Sequence, residues 1–131
     1  VLQYAVEILK VNHVIVCGHY GCGGVKAAMS NEKHGLIDNW LRNIKDIYQQ
    51  NKKLIDTLES NQQQVDRLCE LNVIGQVASV VHTTIVQDAW DRGQELAVHG
   101  WIYSIADGLL RDLDVCLTNK KQIHQIYRTN S

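Results

Sequence analysis

The sequence of 131 residues predicts an α/β fold, a mostly parallel central β-sheet flanked by helices, in a single domain spanning residues 1–131. Three observations predict it. A short β-branched run, His13-Val14-Ile15-Val16-Cys17, passes through a glycine-rich turn, Gly18 to Gly24, into Val25-Lys26-Ala27-Ala28-Met29, which can start a helix; strand, turn and helix make half of a βαβ unit. Segments of helical period stand before and after this unit. Two strand-like runs near the end of the chain are joined by a turn signal.

Taken in order, Val1, Leu2, Ala5, Val6, Ile8 and Leu9, with Gln3, Glu7 and Lys10 between them, predict a helix with a broad buried face. His13–Cys17 reads as a strand covered on both faces, since it is apolar without alternation. From Leu36, the spacing of Ile37, Trp40, Leu41, Ile44, Ile47 and Tyr48 is helical. Residues 51–64 are polar, with only Leu54, Ile55 and Leu58 to bury, and read as a surface connection or frayed helix. Val65 to Trp90 carries a long, wide apolar pattern that predicts a helix pair or one bent helix, with Gly93 as its C-terminal cap. Leu96 to Tyr103 reads as a strand. Asp107-Gly108 is the turn that returns Leu109 to Leu117 as a hairpin partner. Thr118 or Asn119 is placed to cap a last helix carrying Ile123, Ile126 and Tyr127.

Composition narrows the function. The chain is 45% hydrophobic with a formal net charge of −1, which excludes a disordered chain. A neutral balance with no basic run offers no footprint for nucleic acid, so no nucleic-acid partner is expected. No apolar stretch approaches the ~18 residues of a membrane span, so no membrane partner is expected either. The first residue is Val1 and the only methionine is Met29, so a preceding segment is expected. Cys17, Cys22, Cys69 and Cys116 are too sparse for a disulfide scaffold and read as reduced thiols, which points to the cytoplasm. Cys69 and Cys116 lie in apolar patterns and are expected in the core.

Cys17 and Cys22 flank a histidine among glycines. Zinc prefers sulfur and imidazole donors, and His19 and Cys22 form a His-x-x-Cys pair whose Tyr20-Gly21 centre allows a turn sharp enough to aim both at one point. Cys17 is either a third member on the same side of the strand or a buried strand residue. Gly21, Gly23 and Gly24 permit positive φ and close backbone approach, and Gly23 and Gly24 open a helix whose first N–H groups suit a small anion. The same glycines also serve simply to make the turn. Neither a phosphate-binding loop nor a dinucleotide fingerprint is present.

Val16-Cys17-Gly18-His19-Tyr20-Gly21-Cys22-Gly23-Gly24 resembles the second zinc-binding motif of the β-class carbonic anhydrases, most like the bacterial members. The resemblance continues through Gly35 to Leu41, Glu70-Leu71-Asn72-Val73, His99-Gly100-Trp101 and Asp107 to Leu110. It implies a zinc ion held by two cysteines and a histidine, two of these being His19 and Cys22, and reversible hydration of carbon dioxide to bicarbonate and a proton by attack of zinc-bound hydroxide. It implies a homo-dimer or homo-tetramer. It also implies an N-terminally incomplete domain lacking the first strands, because the family's first motif, Cys-x-Asp-x-Arg, occurs nowhere in the 131 residues. The catalytic Asp/Arg pair is therefore not in this chain; Asp112 and Asp114 near Arg111 follow no cysteine in that order. The chain alone is expected to be inactive. A bicarbonate ion that binds beside the active site in some bacterial members touches a tyrosine matched by Tyr103. Proton carriers are not singled out among His13, His34, His82, His99 and His124. The alternatives are a non-catalytic binding module that keeps the fold without a functional zinc site, and thiol chemistry at Cys22.

Overall fold

The computed structural model describes residues 1–129, apart from the side chain of Ile126. Strand β1 (His13–His19), helices α1 (Gly23–Met29), α2 (Asp38–Gln50), α3 (Lys52–Asp56), α4 (Asn61–Val81) and α5 (Thr84–Asp91), and strands β2 (Ala97–Ser104) and β3 (Leu109–Leu117) follow one another along the chain. The strands form one sheet in the order β1-β2-β3. β1 pairs with β2 in parallel, and β2 with β3 antiparallel. This is an α/β fold.

Helix α4 is the central support. It packs on all three strands, on α1, α2 and α3 on its other side, and joins α5 at its end. That position explains its buried stripe, Val65, Leu68, Cys69, Val73, Val77 and Val81, which recurs every three or four residues along the helix. Close approach to the sheet depends on Gly18, where a Cβ would stand 2.4 Å from Val73 Cγ2. The chain turns by 60° between α4 and α5. Thr83 caps α5 by accepting the Val86 N–H. Gly93, at φ 79°, then closes α5 with bonds from Gly93 N–H to Trp90 and from Gln94 N–H to Ala89. No single helix among the described residues is long and apolar enough to cross a membrane.

Four local expectations are corrected. The first segment is helical as expected, with wide five-residue hydrogen bonding over Tyr4–Ile8, but its buried face is narrow: Val6 is buried while Ile8 and Leu9 are exposed, because it meets the molecule mainly through α5. β1 alternates: Val14, Val16 and Gly18 turn inward, while His13, Ile15, Cys17 and His19 are exposed, since α4 covers one face of the sheet and no described element covers the other. Helix α4 begins at Asn61, inside the segment read as a surface connection, because Ser60 and Gln63 form a reciprocal capping box. Cys116 is exposed, opposite His99 on the open face, while Cys69 is buried as expected.

The β2–β3 turn agrees with the sequence, and the last helix is a fifth correction. Asp107-Gly108 makes the β2–β3 turn, with Gly108 at φ 69° and Asp107 accepting the Leu109 N–H. After β3, Asn119 caps a single 3-10 turn, Lys120–Gln122, and a second turn, Gln125–Tyr127, replaces the longer helix expected. The expected burial of Ile126 lies outside the described residues. This last segment is tied down by Gln87, fully buried, whose amide donates to His82 and Tyr127 carbonyls and accepts from the Thr129 N–H.

Candidate metal centre

The turn at the carboxyl end of β1 carries both predicted ligands. His19 ends the strand and is exposed; its Nδ1 lies 2.9 Å from the Tyr20 carbonyl oxygen. An Nδ1–H donated there leaves Nε2 as the free donor of the ring, the arrangement metal-binding histidines ordinarily show. Gly21 takes φ 72°, which reverses the chain, and Cys22 follows as the N-cap of α1, half-buried, with no side-chain cap on the first turn. The donor chemistry fits zinc in part: imidazole nitrogen and sulfur both suit it, and among the described residues no group of three His, Cys, Asp or Glu is placed to hold an ion. Cys17 does share the open face with His19, as one of the sequence readings has it, yet it does not complete such a group.

The glycines divide their work. Only Gly21 needs positive φ. Gly23 and Gly24 are helical, and a Cβ at Gly23 would meet nothing within 4 Å, so there is open space before the first turn of α1. Tyr103 stands opposite His19 in the parallel register, exposed on the same face, and its carbonyl accepts the Tyr20 N–H at 3.0 Å. Among the histidines named as proton carriers, His13 and His99 pair with each other, Nδ1 to Nε2 at 3.0 Å, at the other end of β1, roughly 20 Å from His19 by strand rise. His82 stacks on Tyr127 at the α4–α5 corner.

Residues that sequence reasoning did not single out hold the loop from below. The Tyr20 hydroxyl donates to Glu70 Oε2 at 2.5 Å, and Arg67 Nη1 donates to Glu70 Oε1 at 3.0 Å. Burial, then the bond to Glu70, pushes the Tyr20 hydroxyl up to about 12. Next to Glu70, Cys69 is buried beneath the loop, its thiol pushed up by burial while the backbone N–H groups of Cys22 and Gly21 favour the sulfur's charged form. Glu70 lies in a block of the family resemblance, but its partner is 50 residues away, and no local spacing connects them.

Comparison with known proteins agrees with this architecture. The sequence model of the family described as carbonic anhydrase matches residues 1–110. A carbonic anhydrase of Emericella nidulans is 45% identical over 115 residues, covering 88% of this chain and 50% of that protein. One from Pseudomonas aeruginosa is 31% identical over 116 residues, covering 86% and 51%, so the chain is more similar to the fungal member than to this bacterial one, which corrects the expected bacterial likeness. Among solved structures, a Coccomyxa β-carbonic anhydrase in complex with acetazolamide superposes with a TM-score of 0.85 at 37% identity, covering 92% of this chain and 55% of that one. A Sordaria macrospora β-carbonic anhydrase, described as tetrameric, gives 0.81 at 29% identity, covering 89% and 59%. The chain spans about half the length of these relatives.

Proposed function

The chain belongs to the β-class carbonic anhydrase family, and from that premise we propose that it is part of an enzyme for the reversible hydration of carbon dioxide to bicarbonate and a proton, with zinc held by His19, Cys22 and a further donor from outside the described residues. The observation that supports it is the loop itself, where the Nδ1 contact to the Tyr20 carbonyl and the Cys22 N-cap present one nitrogen and one sulfur on a single tight turn. Bound zinc supplies an acidified water as nucleophile near neutral pH.

The chain's own residues do the holding and the orienting. The Tyr20 carbonyl fixes the His19 ring and its tautomer, so that Nε2 is the donating atom. Gly21 sets the reversal that brings Cys22 back to the mouth of the loop. Gly23 borders open space before α1, and the first-turn N–H groups of Gly23 and Gly24 suit bicarbonate oxygens. Tyr103, beside His19 on the open face, is the residue assigned to a second bicarbonate. Two donors make a weak site, so the 131 residues alone are inactive. The working form is a homo-dimer or homo-tetramer, a reading that the tetrameric Sordaria relative supports, and the four free cysteines favour a cytoplasmic setting.

The test is zinc content and carbon dioxide hydration, the latter by stopped-flow, for the full-length protein and for residues 1–131. The full-length protein is expected to carry about one zinc per chain and to be active; His19→Ala and Cys22→Ala each lose both, and residues 1–131 show neither. A full-length protein with no zinc and no hydration sinks the proposal in favour of a non-catalytic module.

A further inference from the structure

In the loop from Gly18 to Gly24, only Tyr20 is neither a glycine nor a candidate ligand. Glycine loses more conformational freedom on ordering than any other residue, so a loop of this composition is costly to hold in one shape. A side-chain grip on it from the rest of the protein must come through Tyr20 or through the ligands themselves. Tyr20 is held at each of its polar groups. Its N–H donates to the Tyr103 carbonyl on β2 at 3.0 Å, its carbonyl lies 2.9 Å from His19 Nδ1, and its hydroxyl donates to Glu70 on α4 at 2.5 Å.

The far end of this chain of contacts is also fixed. Each Glu70 oxygen has its own partner: Oε2 takes the Tyr20 hydroxyl and Oε1 takes Arg67, one turn earlier on the same helix. A carboxylate so divided cannot rotate without breaking a charge-assisted bond. Helix α4 in turn packs against all three strands and against α1, α2, α3 and α5. The loop is thereby tied to a helix that contacts every strand of the sheet.

Resting on the zinc reading above, we propose that Glu70 is a positioning residue of the metal centre: oriented by Arg67, it clamps Tyr20 and so holds the loop that carries His19 and Cys22 in one shape. Glu70 touches neither metal nor substrate in this role. It acts by preorganising the loop, and partners of this kind are commonly worth 10- to 100-fold in metal affinity.

The clamp is tested in the full-length protein with Tyr20→Phe, which removes the hydroxyl and keeps the ring, with Glu70→Ala, and with Glu70→Gln, which keeps an acceptor. Zinc affinity is read by competition with a chromophoric chelator, and loop order by amide hydrogen exchange over residues 19–24 in the metal-free protein. Tyr20→Phe and Glu70→Ala are expected to weaken zinc binding at least 10-fold and to speed exchange in the loop, with Glu70→Gln recovering part of both. Affinities within two-fold of the parent overturn the clamp, and so does a lowered melting temperature with unchanged affinity and exchange, which marks a purely structural contact. A parent protein that binds no zinc is a different failure, that of the proposed function itself.

Discussion

At the scale of single residues, the glycines of one motif turn out to have separate causes. Gly21 is needed for its φ, whereas Gly18 is needed for space. A methyl group at position 18 would stand 2.4 Å from Val73 Cγ2, far inside contact distance, and neither a strand nor a buried helix shifts cheaply. Gly18→Ala is expected to cost about 1–3 kcal/mol of unfolding free energy by denaturant titration, as overpacking does. Adding Val73→Ala should recover part of that loss; a double variant no more stable than Gly18→Ala would show that the crowding lies elsewhere. The sequence singled out Gly21 and read Gly18 only as part of the turn, because the need for Gly21 rests on local backbone geometry and that for Gly18 on a side chain more than fifty positions away.

At the scale of elements, the boundaries that carry a local chemical signal are legible and those that need a partner are not. The Asp107-Gly108 turn and the Gly93 stop were readable from residue type alone. The Ser60/Gln63 capping box was just as local, yet the polar stretch around it concealed the start of α4. The C-terminal segment shows the other case. It docks through Gln87 and through Tyr127, whose ring stacks on His82 at 4.0 Å between centroids. Burial holds the His82 imidazole below its usual value. A histidine whose folded value is depressed contributes stability that is present above the unfolded value and is lost as pH falls through the folded one. Docking of this segment is therefore expected to weaken as pH drops from about 7 toward 5. Amide exchange over residues 120–129, compared across that range, checks it, and His82→Phe should flatten the dependence. An equally steep dependence in that variant would assign the effect to another group.

At the scale of the whole molecule, one face of the sheet is packed and the other is open. His13, Ile15, Cys17 and His19 of β1 are exposed, and β1 is an edge strand of the three described. Exposed apolar groups also gather at the start of α2, with Leu36 at 85% and Trp40 at 78% exposure. An open edge beside apolar surface invites pairing with another chain. Residues 1–131 are expected to self-associate at micromolar concentration in sedimentation velocity, and Ile15→Lys, which places a charge on that edge strand, should shift the distribution toward monomer. A parent chain that sediments as a single monomer species would show that the open face is tolerated in water.

The division between sequence and structure follows the range of the interactions involved. Strand, glycine turn, helix and the His19/Cys22 pair lie between His13 and Met29, and backbone preference with ligand spacing acts over that distance, so the fold class and the candidate centre were readable in one dimension. Which strand face is covered, which cysteines enter the core, and the link from Arg67 through Glu70 to Tyr20 are contacts between residues distant in the chain. They exist only where packing of α4 against the sheet brings those residues together.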